Sequence, residues 1–257
     1  MNSTSRYYLE PHLWSTDNLS LTGDEAHHCT RVLRSKLGDH VEVFDGNGRS
    51  VVGEIITLEK DNVVISPLSD IKTSIQAHKI HLHQAIPKGG NMELIVQKAV
   101  ELGISEIQPL ITTNTVARAE QLKKKQAKWQ RIALEACKQC GLNFLPNILP
   151  TLSYAEWLEQ QSINSANSAN TDHSLKVVAA LHPESIPFHN AFTSASTAQN
   201  AHLLVGPEGD FSDEEYSQAI AANFQPVSLG DIILRVETAT IFCISIIKHE
   251  LEKIKTN

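Results

Sequence analysis

Three absences narrow the reading before any motif is considered. No apolar run reaches membrane-spanning length: residues 51–56 and 241–247 both fall far short of the roughly 20 residues a bilayer needs. The first residues, Met1-Asn2-Ser3-Thr4-Ser5-Arg6, lack the apolar centre of a secretory signal, so the cytoplasm is expected. A disulfide framework is missing too. Cys29, Cys137, Cys140 and Cys243 have no such spacing in a chain of 257 residues, and Cys137 and Cys140 form a lone C-x-x-C inside an expected helix. His27-His28 and the alternating His81 and His83 find no third ligand at a recognisable spacing, so no metal is expected.

Excess positive charge is also absent. The formal net charge is -7, which counts against a simple nucleic-acid binder. The distribution is uneven, however. Seven basic residues (Arg118, Lys123, Lys124, Lys125, Lys128, Arg131, Lys138) face two acids, Glu120 and Glu135, over residues 118–138. Residues 27–36 hold Arg31, Arg34 and Lys36 with two histidines and no acid. Such stripes hold a phosphate backbone or simply form a solvated helix face.

What is present is an ordinary globular composition, 41% hydrophobic and 20% charged, with room for two domains. Short strands are expected at 19–21, 41–44, 51–58 and 63–66, separated by the turn-formers Asp45-Gly46-Asn47-Gly48 and Lys60-Asp61-Asn62, with a short helix at 25–36. That pattern predicts a small β-barrel. From residue 80 the rhythm changes. Strands at 80–85, 107–111, 177–181 and 203–205 alternate with helices at 91–102 and 122–140, which predicts βαβ units and a mostly parallel sheet. Residues 161–173, rich in Ser, Asn and Ala, read as a solvent loop, and 193–200 as a linker. No internal repeat is visible.

Two segments near the C-terminus share one layout of β-type run, glycine-bearing turn and helix start: Leu203-Leu204-Val205-Gly206-Pro207-Glu208-Gly209-Asp210-Phe211-Ser212 and Leu229-Gly230-Asp231-Ile232-Ile233-Leu234-Arg235-Val236-Glu237-Thr238-Ala239. Side by side, they would form a pocket at the carboxyl edge of a parallel sheet, where open α/β folds bind small ligands. Ser212 with Glu215 is a capping box and needs no ligand to explain it. Gly206-Pro207-Glu208-Gly209 is not explained by helix initiation, whereas close approach of backbone to a ligand explains it. Residues 238–251 read as a helix apolar almost all round, hence deeply buried or at an oligomer interface. Arg235 either pairs with Glu237 in the interior or faces a substrate carrying negative charge.

The whole chain resembles the bacterial 16S rRNA uridine-N3 methyltransferases of the SPOUT superfamily. The resemblance rests on His27-His28, Arg31-Val32-Leu33-Arg34, Gly38-Asp39 and Phe44-Asp45-Gly46, then Lys88-Gly89, Met92-Glu93, Gln97-Lys98 and Glu101-Leu102-Gly103. It continues through Glu135-Ala136-Cys137, Gln139-Cys140 and Pro146 to the two glycine turns. It implies an α/β fold: a PUA-like β-barrel over residues 1–71 that grips RNA, then a trefoil-knotted methyltransferase domain over 72–257 with a mostly parallel sheet. It further implies S-adenosyl-L-methionine as cofactor, a homodimer, and 16S rRNA of the small ribosomal subunit as substrate. Carried over residue by residue, the cofactor set is Leu181, Gly206, Pro207, Glu208, Gly209, Leu229, Gly230, Leu234, Glu237 and Ala239, and the catalytic candidate is Arg235. Arg6, His28, Arg31, Arg34, Lys36 and Lys88 are the RNA-binding candidates. Asp210, Ile232, Val236, Leu142 and Thr113-Asn114 depart from the family pattern. Two other readings stay open: an enzyme of the same superfamily acting on another rRNA or tRNA site, against which residues 27–34 argue, and an RNA-binding assembly factor without activity, which only Asp210 and Ile232 support.

Overall fold

Alternation of apolar and polar residues builds the first sheet. In Leu19-Ser20-Leu21-Thr22 the leucines are buried and the hydroxyl residues exposed, the period-two signature of a strand with one face on a core. A computed structural model describes residues 4–116, 119–167, 174–193 and 198–254. The chain divides into two units, Met1–Gln76 with Leu134–Leu145, and Ala77–Ala133 with Pro146–Asn257.

The first unit holds β1 (Arg6–Tyr8), β2 (Leu19–Thr22), α1 (Gly23–His27), β3 (His40–Phe44), β4 (Arg49–Leu58), β5 (Asn62–Pro67) and β6 (Lys72–Thr73). Its sheet runs β1-β3-β4-β5-β2, with β6 on β4. Every pairing is antiparallel except β1 with β3. The path is open, so this is a curled half-barrel around Tyr7, Leu19, Leu21, Val43, Ile55 and Ile65. The β3–β4 turn forms because the Asp45 carboxylate accepts from the N–H groups of Asn47 and Arg49, at 2.8 and 2.9 Å, while Gly46 and Gly48 take φ of 74° and 103°. The helix expected at 25–36 is shorter. After α1 the chain makes a π-helical turn, His28–Val32, and stops because Arg34 sits at φ 54° with the Ser35 N–H bonded to the Cys29 carbonyl.

The second unit holds β7 (Lys79–Ala85), α2 (Asn91–Glu101), β8 (Glu106–Ile111), α3 (Ala119–Cys140), β9 (Asn147–Ile148), β10 (Leu152–Ser153), α4 (Tyr154–Asn167), β11 (Leu175–Ala179), β12 (Ile186–Pro187), α5 (Phe188–Ala191), β13 (Asn200–Val205), α6 (Asp213–Ala221), β14 (Gln225–Ser228) and α7 (Val236–Ile254). The final residues of α3 belong to the first unit. The sheet runs β10-β8-β7-β13-β11-β14-β12, with β9 on β8, and every pairing is parallel. Its central strands are buried along most of their length and carry polar residues into the interior, among them His83 and Gln84 of β7 and Gln108 of β8. Trp157, Leu204, Phe211 and Phe224 belong to one buried cluster, and α7 packs on α2, β7 and β13.

Two expectations about loops need correction. Residues 161–167 continue α4, which Tyr154, Trp157 and Gln161 anchor by burial at helical spacing; residues 168–173 lie outside the described residues. Of the expected linker, Ala198 is buried and Asn200 opens β13, while 194–197 lie outside the described residues. β11 stops at Ala179, in register with Val205 at the end of β13 and with Val227 of β14, so three strands end within one residue of level.

Candidate functional site

Level strand ends leave a ledge, and the two glycine turns sit on it. Beyond β13 the chain turns at once, with the Asp210 N–H donating to the Pro207 carbonyl at 2.9 Å and Asp210 at φ 57°. Aspartate tolerates that left-handed conformation better than most residues. Its Oδ1 accepts from the Phe211 N–H at 2.9 Å and from the Tyr216 hydroxyl at 2.6 Å. Burial, and then that hydrogen bond, push the Tyr216 phenol well above its ordinary range, so it stays a neutral donor. Asn114 braces the turn by donating Nδ2 to the carbonyls of Gly209 and Asp210, both at 2.9 Å. The capping box is present: the Glu215 N–H donates to the Ser212 hydroxyl, and the Ser212 N–H to the Glu215 carboxylate. Glu208 accepts from the main-chain N–H of Lys88 with both oxygens, at 3.0 and 3.1 Å.

The second turn follows β14. Gly230 takes φ 109°, which only glycine adopts without strain, and the chain runs through exposed Ile232 and Ile233 before α7 begins. The Ala239 N–H donates to the Arg235 carbonyl at 2.8 Å, closing the first helical bond. Buried Thr240 donates to Gln84 of β7 at 2.8 Å, which fixes the helix start over the sheet. Glu237, half-buried, accepts from Asn91 Nδ2 at 3.3 Å. Arg235 is exposed and forms no ion pair among the described residues, so the interior pair with Glu237 is not made.

Together the two turns enclose a cavity of about 510 Å³. Leu181, Gly206, Pro207, Glu208, Leu229, Gly230, Leu234, Glu237 and Ala239 line it, as does Arg235. Gly209 does not: a carbon added there would lie 3.1 Å from Asn114 Cβ, so this glycine serves packing within the turn and not ligand space. Sequence reasoning missed Asn91, Ala179, Ala180, Val205, Asp210, Ile232, Ile233 and Val236 in the lining. Asn91 had a signal, since it opens a helix directly after Gly89-Gly90.

The expected RNA contacts divide. Arg31, Arg34 and Lys36 are exposed around the π-helical turn, and His28 is half-buried edge-on to Tyr7. Lys88 is exposed in the second unit. Arg6 is corrected: it is buried, donating to Glu42 at 2.8 Å, to the Cys137 and Leu142 carbonyls and to Asn143, with its guanidinium 4.5 Å from the Phe44 ring centre. It ties the half-barrel to 134–145 within one unit. In the longer basic run, Lys138 is buried and paired with Glu25 and Glu135, and Lys128 is paired with Glu93. Arg118 and the side chains of Lys123 and Lys124 lie outside the described residues. Glu25, His28 and Glu135 bring ligand atoms within 4.8 Å of one another, but the Lys138 ammonium already serves both acids. Cys137 is buried, its thiol pushed up to about 12 by burial first. Among the described residues, no helix is long and apolar enough to cross a membrane.

Comparison with known proteins adds three kinds of match. Residues 74–248 match the model of an RNA methyltransferase domain and residues 21–68 that of an RNA methyltransferase PUA domain. A ribosomal RNA small subunit methyltransferase E from Buchnera aphidicola is 29% identical over 93% of this chain and 91% of its own. The crystal structure of a ribosomal RNA small subunit methyltransferase E from Neisseria gonorrhoeae, bound to S-adenosyl methionine, superposes with a TM-score of 0.82 at 29% identity, covering 96% of this chain and 98% of its own. A putative methyltransferase from Legionella pneumophila, in complex with the same cofactor, gives 0.82 at 30% identity, covering 96% of this chain and 98% of its own.

Proposed function

The chain belongs to the RNA methyltransferase family, and from that premise we propose that it methylates N3 of one uridine in small-subunit rRNA. It is an S-adenosylmethionine-dependent rRNA methyltransferase. The observation that carries the reading is the cavity over three level strand ends, walled by two glycine turns. Its lining suits that cofactor. Leu181, Leu229 and Leu234 offer apolar walls to an adenine, and bare backbone at Gly206 and Gly230 lets ribose and base lie close. About 510 Å³ falls in the range that encloses a ligand of this size. Pro207, Glu208 and Ala239 complete the set we assign to holding it.

When bound, the cofactor supplies an electrophilic methyl on a sulfonium. The protein's share is placement and charge. Uracil N3 carries a proton and is a poor nucleophile until that proton leaves. A cation beside O2 or O4 stabilises the imide anion as it develops, and Arg235 is the cation in the lining. We assign RNA grip to the first unit through Arg31, Arg34 and Lys36, with His28 at its edge and Lys88 beside the cavity turn. A cytoplasmic homodimer acting on the small subunit completes the proposal.

Primer extension on rRNA from a strain lacking the gene tests it. N3 methylation blocks Watson–Crick pairing and halts the polymerase, so one stop in small-subunit rRNA should vanish on deletion and return on complementation. A complete set of stops in the deletion strain would end the uridine-N3 reading. A stop lost from another RNA would move the substrate.

A further inference from the structure

We propose that Glu237 accepts the N3 proton of the uracil and that Asn91 positions its carboxylate to do so; the inference rests on the uracil-N3 reading. Among the described residues the cavity lining contains no histidine, cysteine, lysine or tyrosine, so the side-chain proton acceptors there are Glu208, Asp210 and Glu237. Glu208 is committed, with both oxygens on the Lys88 N–H. Asp210 is held between the Phe211 N–H and the Tyr216 hydroxyl, behind Gly206, where a carbon added to the glycine would meet Asp210 Oδ1 at 3.0 Å. Glu237 differs. Its Oε2 accepts from Asn91, and among the described residues its Oε1 has no partner. It is half-buried, on the first turn of α7, and lines the cavity with Arg235.

The demands of the reaction match that pair. Negative charge appears on the uracil carbonyls, and a proton must leave N3. As the N3–H bond breaks, its electron pair stays on nitrogen and forms the new N3–carbon bond. The sulfonium carbon–sulfur bond breaks with its pair left on sulfur, and the proton ends on Glu237 Oε1. A cationic sulfonium and an anionic carboxylate become a thioether and a carboxylic acid, so charge balances and two opposite charges are removed from the cavity. The charged groups facing Glu237 there are Arg235, Glu208 and Asp210, and α2 contributes only neutral Asn91. This role replaces the cofactor-holding one expected of Glu237 from the sequence.

The test uses the full chain with small ribosomal subunits. Single-turnover transfer at saturating cofactor is measured from about pH 6 to 9, beside calorimetric affinity for S-adenosylhomocysteine and thermal melting. Glu237→Gln should hold the product cofactor within about threefold of the parent while transfer at pH 7 falls roughly 100-fold, the scale of a missing general base. Its rate should climb about tenfold per pH unit, as solution ionisation of N3 replaces the base, where the parent's profile is flatter. Asn91→Ala should lower kcat about tenfold with KM and affinity unchanged and the parent's pH profile retained. Should Glu237→Gln fail to melt cooperatively, Glu237→Ala with added formate takes its place, and formate should restore part of the rate. A Glu237→Gln protein with weakened affinity but normal saturating transfer would make the carboxylate a cofactor ligand and overturn the proposal. Unchanged transfer, or no rescue by formate, would overturn it too. Failure of the underlying reading looks different, because the parent itself would transfer no methyl to uridine N3.

Discussion

Gly206 and Gly209 sit three residues apart in one turn, yet a side chain added at each meets different surroundings. At Gly206 it would press on Asp210 and the Phe211 ring at 3.0 and 3.2 Å; at Gly209 it would press on Asn114 Cβ at 3.1 Å. Gly209→Val should therefore destabilise the fold by about 1–3 kcal/mol, the cost of overpacking, because Asn114 also braces the turn. Affinity of the folded fraction for S-adenosylmethionine should stay within a few-fold. Denaturant unfolding and calorimetry on the same sample check both; abolished binding at full stability would restore Gly209 to the ligand site. Among the histidines, the Trp157 indole can only donate, so His83 Nδ1 accepts from it at 3.0 Å, and Nε2 carries the proton toward His202 at 3.1 Å. Burial first, then the charges of His202, His81 and Lys176, hold His83 well below its ordinary value of 6.5. The unfolded chain binds a proton there below about pH 6.5 and the folded chain does not, so stability should fall as pH drops, by up to about 1.4 kcal/mol per unit. His83→Gln should remove that share of the slope between about pH 6.5 and 5.5. An identical slope in the variant would place the acid sensitivity elsewhere.

At the scale of elements, the π-helical turn His28–Val32 and the reversal at Arg34 present Arg31, Arg34 and Lys36 to solvent on a protein of net charge -7. Reversing Arg31 and Arg34 to glutamate should weaken binding to small subunits and flatten its salt dependence, by about one in log–log slope for each phosphate that is no longer neutralised. Filter binding from about 50 to 200 mM salt measures it, and an unchanged slope would make these arginines structural. The longer strands and helices α2 and α3 were legible because period two at Leu19–Thr22 and the glycine stops after α2 and α3 are local signals. α4 was not legible. Its Ser- and Asn-rich second half reads as loop, and only the buried spacing of Tyr154, Trp157 and Gln161 keeps it helical. The glycine turns showed most of the cavity, because bare backbone next to strand ends has few other uses. Arg6 misled for the opposite reason. Its partners lie 36 to 137 residues away, and nothing nearby in sequence announces them.

For the whole molecule, the homodimer is the proposal that depends least on either turn. α7 buries Cys243, Ile244, Ile247 and Leu251, and it leaves Phe242 42% exposed on a stripe with Thr238, Ser245 and His249. We place the proposed contact surface on this outer face of α7, with the Phe242 ring at its centre. The wild-type chain should therefore sediment as a dimer at about 1 µM, and Phe242→Glu as a monomer with unchanged circular dichroism, since the ring contributes little to its own chain's core. Ionic strength separates this association from substrate binding. Each copy carries -7, so self-repulsion opposes pairing at low salt and is screened over about 10 Å at 0.1 M. Dimer affinity should rise with added salt over the range in which affinity for the small subunit falls. Sedimentation of wild type as a monomer throughout would end the dimer proposal, and a Phe242→Glu protein that stays dimeric would move the interface off this face of α7.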